Sequence, residues 1–137
     1  MIILDTSVVV KWFSEEEYTD KALVIREKIR IGEERVVVPD LLLYELANAL
    51  KYNPNFDTND VCDALTSIFD MEIDIVTPLP ATINSAVSLA FGYNITVYDA
   101  FYVALAKETE FTFITADRKL YERVNDLNFV KFIGDIE

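Results

Sequence analysis

Apolar positions along the chain fall into short runs that alternate with longer stretches of helical period. Ile2-Ile3-Leu4, Val36-Val37-Val38, Glu72 to Val76, Phe111 to Thr115 and Phe129 to Ile133 read as strands, being short and rich in β-branched or aromatic residues. Between them, Ser7 to Phe13 predicts a short helix. Ser14 followed three residues later by Glu17 is a capping-box pattern for a second, in which Tyr18, Ala22, Ile25 and Ile29 share a face and Gly32 is the stop. Pro39-Asp40 opens a helix to about Tyr52. After the polar loop Asn53 to Asn59 comes an amphipathic helix with Val61, Leu65, Ile68 and Phe69 on one face. Thr77-Pro78-Leu79-Pro80 leads into a helix carrying Ile83, Ala86, Val87 and Ala90 and closed by Gly92. Ile95 to Ala106 predicts another, and a short one follows Ala116-Asp117. Strands alternating with helices imply a mostly parallel sheet of four or five strands, covered on both faces and joined by right-handed crossovers.

The polar residues that interrupt this pattern carry the chemical interest. Asp5 ends the first strand, and Asp117 follows the strand that ends at Thr115. Ligands of open α/β sheets bind beyond the carboxyl ends of strands, so both acids are candidates, although Asp, Ser and Thr are also favoured helix caps. From Leu41 to Leu50 every residue is apolar or aromatic except Glu45 and Asn48. A helix so apolar is expected to be buried, and a buried Glu needs a partner or a metal. Glu45 and Asn48, three apart, would share one face and one polar cavity. In Ile95 to Ala106 only Thr96 and Asp99 interrupt a similar run. The plain structural role for Asp99 is to complement the helix N-terminus; the apolar surroundings favour a site role.

Composition narrows the chemistry. The 137 residues are 52% hydrophobic and fit one domain spanning residues 1–137. There is no histidine, which excludes imidazole bases, Ser-His and Cys-His nucleophile systems and His-ligated metals. The single cysteine, Cys62, excludes an internal disulfide and is expected to be a buried structural thiol; Trp12 and Phe13 are expected in the core or a subunit contact. No run approaches a membrane span and the start leads straight into a strand, so a cytoplasmic protein without membrane contact is expected. With 24 acids against 12 bases the net charge is −12, which repels polyanions unless several of the acids hold cations. Four carboxylates converging at one sheet edge must take up protons or bind cations. Oxygen-only ligands point to Mg²⁺ or Mn²⁺, which can activate water for phosphodiester hydrolysis without histidine.

Four pieces, in this order, carry a family resemblance: Ile3-Leu4-Asp5-Thr6-Ser7, Pro39 through Glu45 to Ala49, Tyr98-Asp99-Ala100-Phe101-Tyr102-Val103-Ala104-Leu105-Ala106 and Thr115-Ala116-Asp117-Arg118-Lys119-Leu120. Together they resemble PIN-domain proteins and, in compactness, the VapC toxin ribonucleases of toxin-antitoxin pairs. The resemblance implies a three-layer α/β/α sandwich and metal-dependent endonucleolytic cleavage of RNA, with Asp5, Glu45, Asp99 and Asp117 as the metal-binding, catalytic cluster. Ser7 and Thr115 match supporting hydroxyl positions. A cognate antitoxin and a homodimer or higher oligomer are also implied. Lys11, Arg118 and Lys119 follow acids of the cluster, so a basic rim contacting RNA phosphates is expected, with Lys107 and Arg123 nearby in sequence. Alternatives within this fold are a non-catalytic protein-interaction module, which the charge of −12 suits, and a nuclease of RNA processing. Aspartyl-phosphate phosphatases need a second Asp where Ser7 stands. A receiver domain needs a mid-chain strand-end Asp and a late strand-end Lys, whereas Asp74 and Lys131 read as lying within strands.

Overall fold

The computed structural model describes residues 1–137. Strands β1 (Ile2–Leu4), β2 (Val36–Pro39), β3 (Asp74–Val76), β4 (Thr112–Thr115) and β5 (Val130–Phe132) form one all-parallel sheet in the order β3-β2-β1-β4-β5. Every residue of β1 and β2 is buried. Successive side chains of a strand point to opposite faces, so this burial requires cover on both sides, the expected α/β/α sandwich. β3 lies at the edge, where exposed Asp74 is ion-paired with Arg35 at 2.9 Å and discourages further strand addition.

The helices are α1 (Thr6–Val9), continued by a 3-10 turn at Val10–Trp12, then α2 (Thr19–Arg30), α3 (Leu41–Lys51), α4 (Thr58–Asp70), α5 (Pro80–Tyr93), α6 (Val97–Thr109) and α7 (Arg118–Val124). α6 packs across β1, β2 and β4, and its outer side receives α5 through Ala86 and Ala90 set against Ala100 and Ala104. Trp12 is buried, its indole N–H donating to the Ala22 carbonyl at 2.9 Å, which is the core role expected of it. No helix is long and apolar enough to cross a membrane.

From β1 the chain adds β2 and β3 on one side, then crosses to add β4 and β5 on the other. The strand order therefore reverses between β1 and β4, where Leu4 pairs with Ile114. The residues leaving these strand ends, Asp5 beside Thr115, stand at the switch point where such sheets open a crevice.

Several local expectations are corrected. Ser14 and Glu17 form no capping box: α2 starts at Thr19 after Tyr18, whose φ is 67°, and the Thr19 hydroxyl accepts the Glu16 N–H and donates to the Ser14 carbonyl. A capping box does occur at α4, between Asp57 and Asp60. Gly92 lies inside α5, which runs to Tyr93 and stops on Asn94 at φ 53°. Cys62 is exposed on α4, not buried, and Phe69 is exposed as well. α3 is not buried all round: Leu42, Leu46 and Leu50, four apart, face the core, whereas Tyr44 is 67% exposed.

Candidate active site

Asp5 occupies the N-cap position of α1, yet its side chain makes no capping bond. The residue is 4% exposed, and its carboxylate is held from two sides. The Ser7 hydroxyl donates to Oδ1, and the Thr115 hydroxyl donates to Oδ2 at 2.6 Å. Each hydroxyl in turn accepts a backbone N–H, Ser7 from Ala116 at 2.9 Å and Thr115 from Asp117 at 3.0 Å. These relays polarise the hydroxyls toward a negative Asp5 and tie the end of β1 to the end of β4. Burial nevertheless outweighs them, and the Asp5 carboxyl is pushed up to about 7; the charges of Asp99 and Asp117 add to the rise.

Asp117 caps α7, accepting the Leu120 N–H at 3.0 Å through Oδ1. The plain structural role is thus real for one of its oxygens. At α6 the cap is Thr96, whose hydroxyl accepts the Asp99 N–H at 3.0 Å. Asp99 is half-buried, and its carboxyl is raised by burial first and then by the Asp117 charge, opposed by the Thr96 hydroxyl, with Glu45 adding a smaller rise.

Glu45, half-buried on α3, is held differently. Its Oε1 accepts the Tyr102 hydroxyl at 2.7 Å and the Thr6 hydroxyl at 3.0 Å, and these two hydroxyl oxygens stand 3.2 Å apart. Tyr102 lies one turn beyond Asp99, so one face of α6 serves both acids. Burial raises the Tyr102 phenol far above its ordinary range, with Thr6 opposing and the Glu45 charge adding to it, so Tyr102 acts as a donor. Sequence reading missed Thr6 and Tyr102 because Thr6 reads as a cap and Tyr102 as one more aromatic in an apolar run. The one usable signal was the i, i+3 spacing from Asp99.

The remaining candidates lie apart. Asn48 is exposed and lines a groove between α3 and α4 with Lys51, Val61 and Cys62; it makes no hydrogen bond with the acids. The expectation of one polar cavity for Glu45 and Asn48 is therefore corrected, because the two side chains face different neighbours. Lys11 is 7% exposed and ion-paired with Glu16 at 3.2 Å, so it does not stand free on a basic rim. Arg118 is exposed, lies over the Phe132 ring at 4.6 Å and donates to the Tyr18 hydroxyl at 3.3 Å; Lys119 beside it is exposed. Arg123 donates to the Asn94 carbonyl at 2.7 Å.

A model of the PIN domain matches residues 2–126, the part of the chain that carries β1 to β4 and the acids at the exits of β1 and β4. The chain belongs to the PIN domain family. Ribonuclease VapC3 of Pyrobaculum aerophilum is 26% identical over 126 residues, covering 89% of this chain and 93% of that protein. Among solved structures, a toxin-antitoxin complex from Klebsiella pneumoniae is similar with a TM-score of 0.73 at 14% identity, over 99% of this PIN domain chain and 100% of that one. VapC20 of Mycobacterium tuberculosis, a toxin that cleaves the Sarcin-Ricin loop, matches with a TM-score of 0.70 at 12% identity, over 89% and 94% of the two chains. At such identities the two structures speak for the PIN fold alone.

The donor set of this PIN domain is carboxylate and hydroxyl oxygen only, which suits a hard cation. No group of three acids is disposed to enclose one ion. The residues therefore fit Mg²⁺ or Mn²⁺ held by one or two carboxylates, with water and substrate phosphate completing the shell, rather than an all-protein cage.

Proposed function

We propose that this PIN domain is a metal-dependent endoribonuclease of the VapC type, the toxin of a toxin-antitoxin pair. The carrying observation is the buried Asp5 beside Asp99 and Asp117, with a carboxyl pushed up to about 7. Such a site strains against its own charge at neutral pH, and a divalent cation relieves it. Asp5, Asp99, Asp117 and the free oxygen of Glu45 are the carboxylates of which one or two at a time would hold the cation, water and substrate phosphate completing its shell. When bound, the cation activates water and stabilises the leaving oxygen of a phosphodiester. The chain's own residues position the reaction. Ser7 and Thr115 keep Asp5 oriented, and Thr96 caps the start of α6, which carries Asp99. Arg118 and Lys119, exposed just beyond Asp117, are the cations nearest in sequence for RNA phosphates.

Two kinds of partner follow. Ribonuclease VapC3 carries the activity in its name, and the Klebsiella pneumoniae structure is a toxin-antitoxin complex, which supports a small antitoxin here. Support for a second copy comes from the outer side of α5, where Leu79, Ile83, Val87 and the 86% exposed Phe91 form an apolar stripe.

The deciding experiment is cleavage of a labelled single-stranded RNA with Mn²⁺ or Mg²⁺, with EDTA, and with an identically purified Asp99→Asn variant. Metal-dependent cutting lost in the variant establishes the nuclease. The net charge of −12 favours the second reading, a non-catalytic interaction module, and tight Mn²⁺ binding without cleavage by the wild type would select it.

A further inference from the structure

Glu45 is the acid of the cluster that reaches the site from the middle of a helix, and two hydroxyls meet on one of its oxygens. Tyr102 and Thr6 both donate to Oε1, whereas Oε2 accepts no protein hydrogen bond. The three residues come from α6, the start of α1 and α3, so the triangle joins three elements that otherwise carry the acids separately. Tyr102 is well suited to be the rigid member. It is 1% exposed and stacked on Phe113 of β4, with ring centroids 6.1 Å apart and planes 13° from parallel. Thr6 is fixed by its neighbour Asp5, itself bonded to Ser7 and Thr115.

We infer that Tyr102, assisted by Thr6, is a positioning residue that holds Glu45 by Oε1 and so presents Oε2 to the cation. Holding a carboxylate by one oxygen restricts its orientation and leaves the lone pairs of the other oxygen for the cation. The role is distinct from packing: the phenyl ring of Tyr102 fills the core, and the hydroxyl alone reaches Glu45. This inference rests on the metal-nuclease reading above.

The test is Mn²⁺ affinity of the metal-free full chain by titration calorimetry, alongside thermal unfolding without metal and RNA cleavage kinetics. Tyr102→Phe keeps the ring and its stacking, so unfolding without metal is expected to change little. Mn²⁺ affinity should fall by roughly 10- to 100-fold, the usual cost of losing a partner behind a metal ligand, with kcat lowered and KM for RNA unchanged. Thr6→Val should act in the same direction by less, and provides the answer if Tyr102→Phe fails to fold. Wild-type affinity and kcat in both variants and in their double would overturn the inference while leaving the nuclease reading intact. A wild type that neither binds Mn²⁺ nor cuts RNA would overturn both.

Discussion

Asp5 and Glu45 each accept two hydroxyl hydrogen bonds, and the two halves of the site differ in where those bonds fall. Asp5 receives one on each oxygen, from Ser7 and Thr115, and is almost wholly buried; Glu45 receives both on one oxygen, from Tyr102 and Thr6, and is half-buried. The first arrangement insulates a charge, and the second aims one. Accordingly the Asp5 carboxyl is displaced toward neutrality by burial, whereas Glu45 contributes geometry. On the metal-nuclease reading proposed above, Asp5 would supply the strained charge and Glu45 the directed ligand.

The comparison breaks most visibly at the acids themselves. Asp5→Asn and Asp99→Asn should each reduce RNA cleavage by more than the roughly 10- to 100-fold expected for a residue behind a ligand. Single-turnover kinetics at saturating Mn²⁺ check this, and a loss no larger than that of Tyr102→Phe would remove the distinction between ligand and positioning residue. Next in size is the support of Asp5. Thr115→Val deletes a donor to a buried carboxylate and an acceptor for the Asp117 N–H, and should lower stability by about 1–3 kcal/mol in urea unfolding. Stability equal to wild type would mean that Asp5 is not insulated as described.

The pH dependence sharpens the contrast. Folded Asp5 holds its proton up to about pH 7, whereas the ordinary value is 3.8, so between these the folded state binds more protons than the unfolded one. Asp5 therefore stabilises the fold progressively less as pH rises through that window, and Asp99, also raised, acts in the same sense. The melting temperature of the metal-free protein should fall from acidic to neutral pH, the fall should be shallower in Asp5→Asn, and Mn²⁺ should reverse it at neutral pH. Equal slopes in wild type and variant would remove Asp5 as the source. The smallest expected effect on stability, within about 0.5 kcal/mol, is that of Arg118→Glu with Lys119→Glu on the exposed start of α7. It should weaken RNA binding at low salt and flatten its salt dependence; unchanged binding would mean that RNA is held elsewhere.

Much of the fold was legible because its signals are local. Five short β-branched runs separated by helical stretches imply a parallel sheet, since that is how such elements bury both faces. Asp5 and Asp117 were legible for the same reason, each being an acid at the point where an apolar run stops. Features that depend on what packs alongside were not. The apolar run of α3 could not reveal that only the Leu42, Leu46 and Leu50 stripe meets the core, nor could the pattern around Cys62 show that the thiol faces outward. The Ser14 and Glu17 pattern failed because the left-handed turn at Tyr18 moves the start of α2 to Thr19.

By itself, then, the sequence determined the alternation of strands and helices, the absence of imidazole chemistry and the carboxylates at strand exits, all of which depend on residues close together in the chain. Only the tertiary structure decided the partners: Thr115 for Asp5 across 110 residues and Tyr102 for Glu45 across 57. Hydrogen bonds have a reach of about 3 Å, so which hydroxyl meets which carboxylate is set by sheet order and helix packing, and no local pattern encodes it.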